Sequence, residues 1–142
     1  MRRVACALVL LCLGILPGGL AGQEPPGADS GFRLEQNYPN PFNPETRIPF
    51  RLTEALFESG EGVTVSVRIF NILQQFVAAP VALAYPGGEG LPLLQLHYTA
   101  PGEYEAFWDG RDRNGNQVAS GVYFVQMVVN GRTAWMKMFV TK

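Results

Sequence analysis

Hydrophobic and polar positions alternate with a period of two in several short runs after residue 31, and no stretch there sustains a period near 3.6. Residues 63–70 are the clearest case. Val63, Val65, Val67 and Ile69 alternate with Thr64, Ser66 and Arg68, which predicts a strand with one apolar face. Near the end of the chain, residues 122–129 and 133–141 flank Asn130-Gly131. Both residues of such a loop must accept positive φ, so the pattern predicts a β-hairpin. A two-residue turn sets Val129 opposite Arg132, Met127 opposite Ala134, Val125 opposite Met136 and Tyr123 opposite Met138, and this face is assigned to the core. The other face carries Val122, Phe124, Gln126 and Val128 across from Phe139, Lys137, Trp135 and Thr133. It is more aromatic than a solvated surface needs. The expectation is that a neighbouring strand or loop, such as residues 91–96, lies over it. The alternative is a docking patch at Phe124, Trp135 and Phe139.

Residues 47–53 predict another strand. Pro49 cannot donate to a ladder, which places this strand at a sheet edge or turns the proline nitrogen to solvent, and we read it as an edge strand. A turn at residues 71–75 precedes a shorter strand around 76–83, and residues 85–90 read as an exposed loop. Short runs punctuated by Gly, Pro and Asn predict an antiparallel all-β domain.

The N-terminus has a different pattern. Arg2 and Arg3 precede an apolar run from Val4 to Leu16, which Pro17-Gly18-Gly19 closes before Ala21 and Gly22. That is the layout of a secretory signal peptide over residues 1–22, with cleavage after Ala21 or Gly22. The run is too short for the roughly 20 residues of a spanning helix, so no stable membrane span is expected after cleavage. Leu11 stands before Cys12 where a lipidated cysteine would need a small residue, which argues against a lipid anchor. Both cysteines, Cys6 and Cys12, fall in this segment, and the exported part is expected to hold no disulfide and no thiolate ligand. Residues 23–31, rich in Pro, Gly and small polar side chains, read as a flexible leader, and the folded unit is expected over 32–142.

Composition narrows the chemistry. A formal net charge of -1 leaves no basic surplus for nucleic acid. His97 is the single histidine and sits in a Leu-rich stretch, and no glycine-rich phosphate loop is present, so we expect no enzyme and no cofactor. Glu103 and Glu105 leave the same side of a strand and read as solvating acids. Asp109, Asp112, Asn114 and Asn116 alternate like part of a calcium loop. Without a closing glutamate, and with Arg111 and Arg113 among them, they read as turn residues, and no metal is assigned.

Two motifs are more specific. Leu34-Glu35-Gln36-Asn37-Tyr38-Pro39-Asn40-Pro41-Phe42-Asn43-Pro44, followed by Thr46-Arg47-Ile48-Pro49-Phe50, forms the first. The second comprises Pro101-Gly102-Glu103-Tyr104, Trp108-Asp109-Gly110, Asp112, Asn114-Gly115, Val118-Ala119-Ser120-Gly121-Val122-Tyr123-Phe124 and the closing Lys137-Met138. The first is expected to run along an extended, polyproline-like path, with Tyr38 and Phe42 plugging a sheet edge and the asparagines bonding backbone at each bend. The second is expected to bury Trp108 at a strand end, make a double turn, and return from Gly121 with Tyr123 pointing inward.

In this order the motifs resemble the type A sorting domain found at the carboxy-terminus of proteins exported by the bacterial type IX (Por) secretion system. The second half is also similar to the immunoglobulin-like module of the flagellar hook-capping protein. The resemblance covers about residues 32–142 and implies an immunoglobulin-like antiparallel β-sandwich of about seven strands. It departs from the family at Gln74-Gln75, where glycine is usual, at Pro49, and in the longer connection over residues 85–96. It implies a secreted or surface-located module recognised by outer-membrane export machinery near Gly131, Lys137, Met138, Val140 and Lys142. The alternative role is a structural or binding domain that docks another envelope protein. Hook-cap assembly conflicts with the signal peptide.

Overall fold

The structure, a computed structural model, describes residues 30–142. The expected signal peptide and almost all of the leader therefore lie outside the described residues. Nine strands form two antiparallel sheets packed face to face. The first sheet contains β1 (Phe32–Leu34), β2 (Thr46–Leu52), β7 (Gly102–Trp108) and β5 (Val81–Leu83), in that order. The second contains β4 (Phe76–Ala78), β3 (Val63–Phe70), β8 (Gly121–Val129) and β9 (Arg132–Val140), and β6 (Leu96–Tyr98) also pairs with β3. The sandwich is as the sequence implies. The additions to about seven strands are three-residue pieces along the edges.

The inward set follows the alternation. Ile48, Phe50, Leu52, Val65, Val67, Ile69, Val125, Met127 and Val129 are all buried between the sheets. The terminal hairpin has the expected register from Val129 opposite Arg132 to Val122 opposite Phe139. Asn130 and Gly131 adopt φ of 49° and 77°, as its turn requires.

Two expectations are corrected. The strand containing Pro49 is interior, with β7 on one side and β1 and Tyr38 on the other. The backbone groups of Arg47 bond Tyr38 and the Pro49 carbonyl accepts from Glu35, so the missing N–H of Pro49 faces the interval between Glu35 and Tyr38, where the neighbouring chain leaves the ladder. Residues 76–83 are not one strand. The chain crosses between the sheets at Ala79-Pro80, leaving β4 in one and β5 in the other.

Both sides of the sandwich are closed by irregular chain. On the β5 and β3 side, the Ala82 N–H donates to the Leu91 carbonyl, the Leu93 N–H to the Pro80 carbonyl and the Val67 N–H to the Leu93 carbonyl, which buries Leu93 completely. Beside this closure Tyr98 contacts Tyr85, Tyr104 and Phe50, with ring centroids 5.2, 4.6 and 5.8 Å apart. Tyr85 and Tyr104 donate to the carbonyls of His97 and Ala100, whereas the buried Tyr98 hydroxyl has no hydrogen-bond partner among the described residues.

Burial, with smaller contributions from Tyr85 and Tyr104, pushes the Tyr98 hydroxyl above the usual tyrosine range. The neutral form is thus favoured by the fold. Its contribution is complete below the ordinary tyrosine value of about 10 and is lost as pH rises beyond it, because the unfolded chain ionises first. Tyr98→Phe, which removes an unsatisfied buried hydroxyl, is expected to raise stability by about 1 kcal/mol at neutral pH and to flatten part of the alkaline decline. Urea unfolding at neutral pH and above pH 10 measures both.

Candidate interaction surface

The first motif forms the other closure and spans both sheets. Tyr38 pairs with Arg47 of β2, with N to O distances of 2.9 Å in each direction. Asn37 is buried, and its amide donates to the Thr46 hydroxyl and the Pro39 carbonyl at 2.9 and 3.1 Å. Four residues after Tyr38 the chain reaches the opposite sheet. The Phe42 N–H donates to the Phe139 carbonyl at 3.0 Å, and the Thr141 N–H donates to the Phe42 carbonyl at 2.9 Å. The Asn40 side chain accepts from the Phe139 N–H, and the Gln36 amide donates to the Lys137 carbonyl.

The asparagines therefore bond backbone as expected, but the path is not extended and polyproline-like. Residues 39–41 and 43–44 are bends, and the Tyr38-Pro39, Asn40-Pro41 and Asn43-Pro44 bonds are cis. Phe42 plugs the sandwich as expected and is buried, while Tyr38 stays exposed and donates to Glu105.

The two motifs meet inside this closure. Phe42 packs edge-on against buried Trp108 at 5.5 Å, and Trp108 packs against Tyr123 at 5.8 Å. The Trp108 indole donates to the Arg111 carbonyl, and the Tyr123 hydroxyl donates to the Ala119 carbonyl. Gly110 lies at φ 76°, and a Cβ there would stand 2.4 Å from the Pro44 carbonyl oxygen. The double turn uses its acids on backbone. Asp109 accepts from the Arg111 N–H, and Asp112 accepts from the N–H groups of Asn114 and Asn116. Arg111 reaches the Gly115 carbonyl and Arg113 lies over the Phe76 ring.

The exposed acids make ion pairs across β2 and β7. Glu103 pairs with Arg51, and Glu105 with Arg47 at 3.1 Å, as cross-strand ion pairs. The Glu105 hydrogen bond is the main reason the Tyr38 hydroxyl lies above its usual range. His97 is exposed on β6, opposite Thr64.

The residues assigned to sorting fall into two groups. Gly131, Lys137 and Lys142 are exposed, with Lys137 5.5 Å from the Phe139 ring centroid, whereas Met138 and Val140 face the core. The aromatic face is open at Trp135, 57% exposed, and Phe139, 40% exposed, and Phe124 is half-buried. Residues 91–96 do not cover these rings. Their reach onto this face ends at β3, where the Gln95 N–H donates to the Ser66 hydroxyl. A strand neighbour supplies partial cover instead, because the Phe70 ring of β3 meets Trp135 at 5.7 Å and Phe76 at 6.1 Å. Phe70, Asn71, Ile72, Gln74, Phe124, Gln126 and Trp135 line the resulting groove. Gln74 adopts φ 61°.

No protein-family model matches the chain, and no curated protein matches it. Two solved structures resemble it. One is PorZ, an essential surface component of the type IX secretion system of Porphyromonas gingivalis, at 19% identity and a TM-score of 0.42, over 75% of this chain and 11% of that one. The other is dimeric latent PorU from the same organism, at 21% identity and a TM-score of 0.48, over 77% of this chain and 9% of that one. The chain thus spans about a tenth of the length of either neighbour.

The clash at Gly110 gives a controlled test of the motif contact. Gly110→Ala and Gly115→Ala both place a side chain at positive φ, but a Cβ at Gly115 meets nothing within 4 Å. Gly110→Ala is expected to cost at least about 1–2 kcal/mol more than Gly115→Ala, read from urea midpoints of the two variants.

Proposed function

We propose that this chain is a non-enzymatic secretion-sorting or surface-attachment module, read in its folded form by outer-membrane export machinery. The observation that carries the reading is the closure in which the first motif holds the last strand. Gln36, Asn40 and Phe42 bond Lys137, Phe139 and Thr141, while Phe42 and Pro44 meet Trp108 and Gly110. The residues that carry the sequence resemblance thus make one composite surface at the end of the chain. Lys137 and Lys142 present charge there, Gly131 forms the hairpin tip, and Met138 and Val140 fix the strand to the core.

The test is surface display of a reporter fused ahead of residue 23, behind a signal peptide, in a host with a type IX system. Deleting residues 130–142 would remove buried Met138 and Val140 and unfold the sandwich, so exposed positions are the informative ones. Lys137→Glu combined with Lys142→Glu is expected to lower display severalfold with no change in thermal midpoint. Unchanged display would overturn the sorting reading.

A second reading, an envelope binding domain using Phe124, Trp135 and Phe139, is favoured by the exposure of Trp135 and Phe139. Under it, envelope proteins recovered on the immobilised wild-type domain are lost with Trp135→Ser. Equal recovery would remove it.

A further inference from the structure

We propose that the outer edge of β9 pairs with the same edge of a second copy of this chain, antiparallel and twofold about Trp135. This goes beyond the sorting reading and does not rest on it. In a two-residue hairpin the closing pair, here Val129 and Arg132, exchanges hydrogen bonds. Ala134, Met136 and Met138 therefore aim their backbone groups at β8, while Thr133, Trp135, Lys137, Phe139 and Thr141 aim theirs outward. The clasp confirms this parity and uses part of it, at the Lys137 carbonyl, both backbone groups of Phe139 and the Thr141 N–H. Both backbone groups of Thr133 and Trp135, and the Lys137 N–H, have no hydrogen-bond partner among the described residues.

Outward N–H and C=O groups at every second residue are complemented by another extended backbone. Edges are ordinarily blunted by proline, bulges, lysine or a covering segment. On β9 the cover ends at Lys137, and a tryptophan 57% exposed stands at the centre of what remains.

The sequence along this edge favours a second copy as the occupant. Antiparallel pairing about Trp135 sets the two Trp135 residues side by side, Thr133 opposite Lys137 and Ala134 opposite Met136. Both of these off-centre pairs join a smaller side chain to a larger one, and no like charges stand directly opposite. The pairing stops at Lys137, because Asn40 and Phe42 already occupy the edge at Phe139. The two Trp135 residues exchange both backbone bonds, the Lys137 N–H reaches the Thr133 carbonyl, and the Thr133 N–H shares the Lys137 carbonyl with Gln36. Pairing along so short an edge buries less than the roughly 1,000 Å² of a stable interface, so the dimer is weak and reversible.

Sedimentation velocity of the purified protein over a wide concentration series is expected to show a monomer that shifts toward a dimer. In parallel, hydrogen exchange at the Thr133 and Trp135 amides slows as concentration rises. Trp135→Pro removes the outward N–H at a solvent-facing edge position, and Trp135→Lys keeps the backbone but sets lysine against lysine. Each is expected to weaken dimerisation at least about tenfold, while Trp135→Phe leaves it within about threefold. A monomer at every concentration, a dimer unaffected by both Trp135→Pro and Trp135→Lys, or a dimer whose Thr133 and Trp135 amides still exchange fast would each overturn the proposal.

Discussion

The sandwich depends on how its two open sides are sealed. Facing sheets bury their inner side chains against each other, but water can still enter along the edges unless something apolar and hydrogen-bonded fills them. Leu93 seals one side, where residues 91–93 bond Pro80, β5 and β3, and Phe42 seals the other. Phe42 touches Trp108 directly and, through it, Tyr123. Loss of that ring would open a cavity at the junction of both motifs, where the cost of a vacated phenylalanine is about 3–5 kcal/mol. Asparagines, aspartates and the Trp108 indole spend their hydrogen-bonding capacity on backbone.

The terminal hairpin was fully legible in the sequence because Asn130-Gly131 fixes the turn and the turn fixes the register of both strands. The inward direction of Trp108 and Tyr123 was legible for a related reason, as each stands at a strand end beside a turn. Local rules failed where a distant segment decides the outcome. Pro49 reads as an edge residue until Glu35 and Tyr38 are seen to pair around it. Residues 76–83 read as one strand because the switch of sheets at Ala79-Pro80 leaves no mark in the alternation. The Tyr85, Tyr98 and Tyr104 cluster, joined to Phe50, was also missed, since its members come from separate elements and their spacing in sequence carries no signal.

The candidate surface divides in the same way. The exposure of Lys137 and Trp135 and the burial of Met138 and Val140 follow from strand parity alone. What covers the aromatic face did not. Residues 91–96 are apolar enough to lie over it, but their carbonyl and amide groups are claimed by Pro80, Ala82 and Val67 on the far side of the sandwich. Backbone hydrogen bonding, rather than apolar content, decided where that segment went.

The seal at Phe42 also sets an order of events. Its carbonyl is held by Thr141, and Gln36 is bonded to Lys137 across about a hundred positions. A polypeptide that emerges from its N-terminus cannot lock this side until residues 137–141 have arrived. Until then the first motif waits with an aromatic ring and several amides unsatisfied. The finished shape of that surface is therefore a joint product of two segments about a hundred positions apart, and neither has it without the other.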